Sequence, residues 1–291
     1  MLNFDSKKFI AVLVPAFAAL LLFSLPAGAQ ADISTRKKKI SDFETKTTKV
    51  VLGGNDMFNL ALKNEVARRW RVSPYEFISP QEFESTRTNA NYYFLVPLNV
   101  RQSKEEEPGL MVLSLLKGGS DNPKDADETI NVIDFPICPA DNPSGREYVF
   151  LPAFIDIIQD FVLDAIRSDM VSYGGLDSFP IKLGKASKMT IFISSDDLGK
   201  EVEVDASWEE KGIEIVSEEE ADRIFSEGRS GAIVSYVVAP DTPDKSSLCY
   251  KMLISADTHE VFYLKKHKLG PAGDVGLQKK DMFFISKMKK K

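Results

Sequence analysis

The chain of 291 residues has only two cysteines, two histidines and two tryptophans. Two cysteines cannot staple a disulfide-dense miniprotein, and two histidines are too few for a zinc-finger array. With 43% hydrophobic and 27% charged residues, the balance excludes a disordered chain, a collagen-like repeat and a multi-span membrane protein. Catalytic and nucleotide signatures are missing as well: there is no Gly-x-Ser-x-Gly elbow, no Gly-x-Gly-x-x-Gly loop and no Gly-Lys-Ser/Thr ending. What remains is a globular chain of about two domains' length, with apolar side chains enough for a sizeable core.

The N-terminus carries an address. Lys7 and Lys8 precede a charge-free run over residues 9–25, Pro26 breaks it, and Ala27-Gly28-Ala29 and Ala29-Gln30-Ala31 follow. This is the pattern of a signal peptide over residues 1–31, cleaved near Ala29 or Ala31. An uncleaved anchor is the competing reading, but the run is at the short edge of the ~20 residues that span a bilayer and Pro15 interrupts it. No cysteine lies near the cleavage site to take a lipid. The expectation is a periplasmic or secreted protein with no transmembrane anchor after cleavage.

Loss of residues 1–29 removes two lysines and one aspartate and takes the net charge from −6 to −7. That speaks against nucleic-acid binding, which relies on phosphate neutralisation. Basic runs at residues 36–39 and 287–291 read as solvated ends, or more sharply as contacts for an anionic membrane surface. The first is favoured, because the runs have no interleaved aromatics.

Residues 49–117 and 188–256 repeat one order of elements. An apolar strand (residues 49–52, or 189–193) enters a polar turn with an aspartate, Asp56 or Asp196-Asp197. Asp56 is the expected helix N-cap, with Phe58, Ala61, Leu62 and Val66 on one face. After Trp70 or Trp208 comes a second strand (75–78, or 213–216). Ser79 with Glu82 and Ser217 with Glu220 then read as capping boxes opening short acidic helices. Three strands follow (92–100, 110–116 and 129–137, against 232–238, 248–254 and 260–264), and a helix closes each copy (148–166, or 275–288). The fold class is α+β (α/β): two tandem β-α-β-α-β-β-β-α domains at 45–175 and 186–291, each a mixed sheet with helices packed on it, joined by a linker at 176–185.

This order resembles the α/β domain of the TolB N-terminal and curli-secretion envelope families. The resembling stretches are Tyr75-Glu76-Phe77-Ile78, the helix start from Ser79 to Glu82 and Tyr92-Tyr93-Phe94-Leu95-Val96. The chain departs from those families in having no β-propeller repeats, no lipid-attachment cysteine and a tandem duplication. The resemblance implies an envelope protein that works through protein contacts.

The chemistry-bearing residues are sparse. His259 sits in the expected turn before the last strand and His267 just past that strand, which argues against a histidine-dependent hydrolase. Asp121, Asp125, Asp127 and Glu128 cluster in the loop 117–128 and offer oxygen ligands for calcium, but Pro123 and Lys124 interrupt them. A solvated hairpin loop that serves as a binding loop is the better reading. Gly53-Gly54-Asn55-Asp56 lies where phosphate loops sit but lacks their spacing. Cys138 and Cys249 stand at non-equivalent places in the copies, as one inter-domain disulfide or, the favoured reading, two buried thiols. No catalytic, cofactor or metal residue is assigned. The expected function is that of an exported, non-catalytic binding or assembly protein of the bacterial cell envelope, with an envelope protein or glycan as partner and the inter-domain groove among its surfaces. The alternative is a carboxylate-dependent hydrolase acting on a glycan in that cleft.

Overall fold

The computed structural model describes residues 26–27, 37–53, 55–102, 105–119, 129–244, 246–270 and 273–289. Nearly all of the leader pattern, and the acidic loop with Asp121, Asp125, Asp127 and Glu128, lie outside the described residues. In the first copy, β1 (Thr47–Val51) leads through α1 (Asp56–Arg69) to β2 (Tyr75–Ile78), and α2 (Pro80–Thr86) leads on to β3 (Tyr92–Gln102). β4 (Leu110–Lys117), β5 (Ile130–Pro139) and the closing helix α3 (Arg146–Ala165) complete it. β1 lies parallel to both β2 and β3, and β3, β4 and β5 form an antiparallel meander, in the order β2-β1-β3-β4-β5.

A short helix, α4 (Asp169–Gly174), precedes the second copy. That copy runs β6 (Thr190–Ser194), α5 (Ser207–Glu210), β7 (Ile213–Val216), α6 (Glu218–Ser226), β8 (Ala232–Val238), β9 (Leu248–Ser255), β10 (Val261–Lys268) and α7 (Lys279–Met288). Its order is β7-β6-β8-β9-β10, with the same parallel and antiparallel neighbours. The molecule is thus mixed α+β, with two similar mixed sheets and helices packed on them. Among the described residues, no helix is long and apolar enough to cross a membrane.

Local signals explain most boundaries. Asn55, not Asp56, caps α1: its Oδ1 accepts the Phe58 N–H at 3.0 Å, and Asp56 begins the helix. Either residue type caps well, so a shift by one costs the sequence nothing. Ser79 and Ser217 cap α2 and α6 by accepting the N–H of Glu82 and Glu220. The return half of each box is taken elsewhere, because Glu82 binds the Lys49 ammonium at 2.7 Å and Glu220 binds Arg223.

The copies differ most at the first crossover. Where the first has the 14-residue α1, the second has a 3₁₀ turn, an extended stretch and the single turn α5. Residues 201–205 alternate acidic residues with valines, a period of two that gives no helical face. The turn before it is fastened instead to the chain before α7. The Gly199 N–H donates to the Leu277 carbonyl, and the Leu277 N–H donates to the Asp197 carbonyl, both at 2.8 Å. The expected linker is also more structured than a spacer: Phe179 stacks on Phe161, Leu183 is fully buried, and the Lys182 N–H donates to the Phe262 carbonyl on β10.

The second sheet uses both faces, as strand alternation requires. Ile191, Ile193, Ile233, Leu253 and Tyr263 pack with Trp208, Met282 and Ile285 in a core belonging to the second copy. Phe192, Val234, Tyr236, Met252 and Ile254 point the other way, into one core shared with the first copy. α3 fills that shared space. Its Phe150 stacks on Phe225 of α6 with centroids 3.9 Å apart, and Phe154 meets Phe135 of β5 and Tyr236 of β8. The Tyr236 hydroxyl donates to the Ile137 carbonyl across the seam at 2.5 Å. The groove expected between two independent domains is therefore largely filled.

Phe154 is fully buried in this seam. Phe154→Ala is expected to cost about 3–5 kcal/mol. Single-tryptophan variants keeping Trp70 or Trp208 should report coincident urea transitions, because one core serves both copies. Two separated transitions would contradict the shared core.

Candidate functional site

Two polar clusters lie where the copies meet. The first centres on Arg146, the first residue of α3 and 6% exposed. Its Nε donates to Asp222 at 2.9 Å, Nη1 to Asp197 at 3.1 Å, and Nη2 to the Ser235 carbonyl at 3.3 Å. Glu218 stands 3.5 Å from Nη1, and the guanidinium lies over the rings of Phe150 and Tyr236. Asp197 is held from behind by the Ser235 hydroxyl at 2.6 Å. Burial lifts the carboxyls of Asp197, Glu218 and Asp222 above their ordinary range, while Arg146 pulls each of them back. Arg146 lines neither of the two depressions described below. The knot is a structural tie between copies.

The second cluster does open onto space. A half-open cleft of about 290 Å³ is lined by Arg69 at the end of α1, Val149, Pro152 and Asp156 on α3, Phe225, Ser226 and Gly228 at the end of α6, and residues 256–259 of the β9–β10 hairpin. Asp156 is its pivot. One oxygen, Oδ2, accepts Arg69 Nη1 at 2.8 Å and lies 2.6 Å from His259 Nδ1. Arg69 also donates from Nε to Glu65 at 2.9 Å. The His259 ring stacks near-parallel on Phe225, with centroids 5.7 Å apart.

Local structure aims these groups. Gly228, at φ +61°, ends α6 in a left-handed turn: its N–H donates to the Phe225 carbonyl and that of Arg229 to the Ile224 carbonyl. That turn presents Phe225 and Ser226 to the cleft. His259 itself has φ +59°, the only positive φ among the described non-glycine residues. The left-handed slot of a short hairpin is filled mostly by glycine or asparagine, and histidine is among the few other residues that adopt it. The Asp156 bond and the Phe225 stack hold it.

A larger but shallow depression, about 550 Å³, runs along residues 70–75 beside β2. Two of its polar side chains are already committed: Arg71 donates to the Trp70 carbonyl, and Trp70 Nε1 to Ser73. The inter-copy cleft is the better site, since free polar edges from separate elements converge there.

Of the described residues singled out in the sequence, His259 lines the cleft and the others fall elsewhere. Cys138 and Cys249 are free and buried, in two different apolar clusters, so no bridge links the copies. Burial, with the charge of Glu147 added, pushes the Cys138 thiol up to about 12, and burial pushes Cys249 to about 11. Gly53 and Asp56 border α1 but not the cleft. His267 lies within β10, with Nε2 at 2.8 Å from the Asp274 carbonyl. His259 is not an exposed turn residue, since its side chain is 12% exposed. Glu218, at the start of the acidic helix α6, turns half-buried towards Arg146.

Arg69, Asp156, Arg146 and Asp197 were not assigned a role from the sequence. Two local signals pointed to them. An arginine opening a helix opposes the helix dipole and so calls for a distant carboxylate. A histidine where a hairpin wants glycine calls for a distant partner as well. Among the described residues, no group of histidine, cysteine and carboxylate side chains is arranged to hold a metal ion. No family model, curated protein or solved structure matches the chain.

Two outcomes test this electrostatic picture. The folded pKa of Glu218 lies above its ordinary value, so its contribution favours folding below that value and fades as pH rises through the folded one. Glu218→Gln should therefore raise the urea midpoint near pH 7, and the two proteins should converge below about pH 4, where the parent is protonated. A gain independent of pH, or a loss at pH 7, would refute it. The thiols should ignore a disulfide reagent in the native protein, and both should react once it is unfolded without reductant. A native-state reaction, or no thiol released on unfolding, would contradict their burial as free groups.

Proposed function

We propose that the protein is an exported, non-catalytic binding or assembly protein of the bacterial cell envelope, and that its ligand site is the cleft between the copies. One observation carries the reading: Arg69, Asp156 and His259, from three separate elements, form a single hydrogen-bonded chain along the wall of an open cleft. His259 holds a left-handed backbone conformation there, uncommon for any residue but glycine. The leader pattern of residues 1–31 supports export, to the periplasm or beyond. The repeated element order supports kinship with the TolB N-terminal and curli-secretion envelope domains.

Binding is favoured over catalysis by where the reactive groups are spent. The Ser226 hydroxyl donates to the Arg223 carbonyl of its own helix at 3.0 Å, so its proton is directed away from His259. The glycan-hydrolase alternative needs one protonated carboxyl facing a second across the cleft. Asp156 and Asp257 both line it. Asp156, however, is the shared acceptor of Arg69 and His259. Asp257 accepts the Ser255 hydroxyl at 2.6 Å, which holds its carboxyl below the usual range. Neither is placed as the acid.

Amide hydrogen exchange on the protein, with and without a cell-envelope extract, checks the reading. Slowed exchange is expected at residues 226–228 and 256–259. It should be lost in His259→Asn, a variant that tolerates the left-handed turn and removes the imidazole. Protection confined to segments outside the cleft, or none anywhere, would reject the cleft as the site.

A further inference from the structure

The charged groups of the cleft are all hydrogen-bonded within the protein. Arg69 lies between Glu65 and Asp156, Asp156 lies between Arg69 and His259, and Asp257 is held by its own hairpin. A ligand with a full charge would compete with these bonds for the same groups. Polar valences nevertheless remain. Arg69 Nη2 and His259 Nε2 have no hydrogen-bond partner among the described residues, and Asp156 Oδ1 receives only a long 3.5 Å contact from Gln159. The hydroxyls of Ser226 and Thr258 stand at the same mouth. Donors and acceptors therefore alternate within one small volume. A hydroxyl, which gives one hydrogen bond and accepts two, is the group that uses such a set fully.

The remaining wall is apolar. Val149 and Pro152 supply a surface for C–H groups rather than for charge, above the buried Phe225 and Ala256. At about 290 Å³ the cleft lies just under the range of roughly 300–1,000 Å³ usual for small-molecule sites, which limits the occupant to something compact. We propose that the cleft binds a neutral, hydroxyl-rich ligand of about one sugar unit, with hydroxyls bridging Arg69, Asp156 and His259 and its C–H face against Val149 and Pro152. This rests on the cleft being the ligand site and names the chemistry that it takes.

The two histidines make the test direct, because each gives its own imidazole signal and His267, away from the cleft, serves as internal control. The protein is titrated with glucose, galactose, N-acetylglucosamine and the β-1,4 disaccharide of N-acetylglucosamine, and separately with inorganic phosphate and putrescine. At least one saccharide is expected to move the His259 resonances and leave those of His267 in place. Tighter binding of the disaccharide than of its monomer would assign the ligand to a glycan end, and the reverse to a free sugar. Asp156→Asn should weaken binding about tenfold or more. Ser226→Ala should weaken it severalfold while keeping the Arg69–Asp156–His259 chain intact, which separates lost recognition from lost folding. If phosphate or putrescine moves His259 and no saccharide does, the ligand class is overturned but the cleft stands as a site. If no probe moves His259, the saccharide proposal falls, and the exchange experiment with envelope extract decides the cleft by itself.

Discussion

The buried guanidinium of Arg146 sets the relation between the two copies. It belongs to the first copy by sequence, yet its acidic partners Asp197, Glu218 and Asp222 all belong to the second. A charge this deep is tolerated only with partners, and a guanidinium suits the role because its planar fork serves several acceptors at once. Satisfying it places the start of α3 against α6 and against the turn after β6. The aromatic stack of Phe150 on Phe225 and the edge contact of Phe154 with Tyr236 then follow as the next turns of the same helix. Direction comes from the ion cluster, and most of the favourable energy comes from the apolar burial along the helix.

The cleft is a consequence of that docking. Asp156 lies ten residues along α3 from Arg146, where the helix leaves α6 and passes the β9–β10 hairpin. Once the start of α3 is fixed, Asp156 can reach only what the second copy presents there, which is His259. The same position faces the end of α1, so Arg69 approaches from the other side. The site is built on helix ends and a short hairpin held by packed elements, and its polar groups are oriented before any ligand arrives.

The element order was legible in the residues because it rests on local physics. The strands show as apolar and β-branched runs, and the serines before α2 and α6 are caps whose geometry needs only three neighbouring residues. The misreadings have local causes too. Asn55 and Asp56 cap equally well, so adjacent candidates cannot be ranked from sequence. In the second copy, residues 201–205 follow a period of two where the first copy has α1, and the turn before them is bonded to Leu277. The cleft was illegible for a different reason. Asp156 and His259 are 103 residues apart, and nothing near either one specifies the other. Only the oddities of a helix opening on arginine and a hairpin turning on histidine hinted at distant partners. Such hints state that a partner exists without identifying it.

Divergence at the first crossover explains why two similar copies make one cleft and not two. In the first copy the crossover is a full helix, whose last turn supplies Arg69 and, through Glu65, the partner that steadies it. In the second, the equivalent chain has no such helix: it bends back through Asp197 and Gly199 to bond with Leu277, and Asp197 is used to bind Arg146. The segment that would have furnished a second arginine arm has been spent on fastening the copies together. One copy therefore supplies the arm and the pivot, Arg69 and Asp156, and the other supplies the turn with His259 and the floor with Phe225. Neither copy holds the whole set. On this arrangement the duplication is a division of labour, in which the unit most altered from the shared plan is the one that locks the assembly and closes the site.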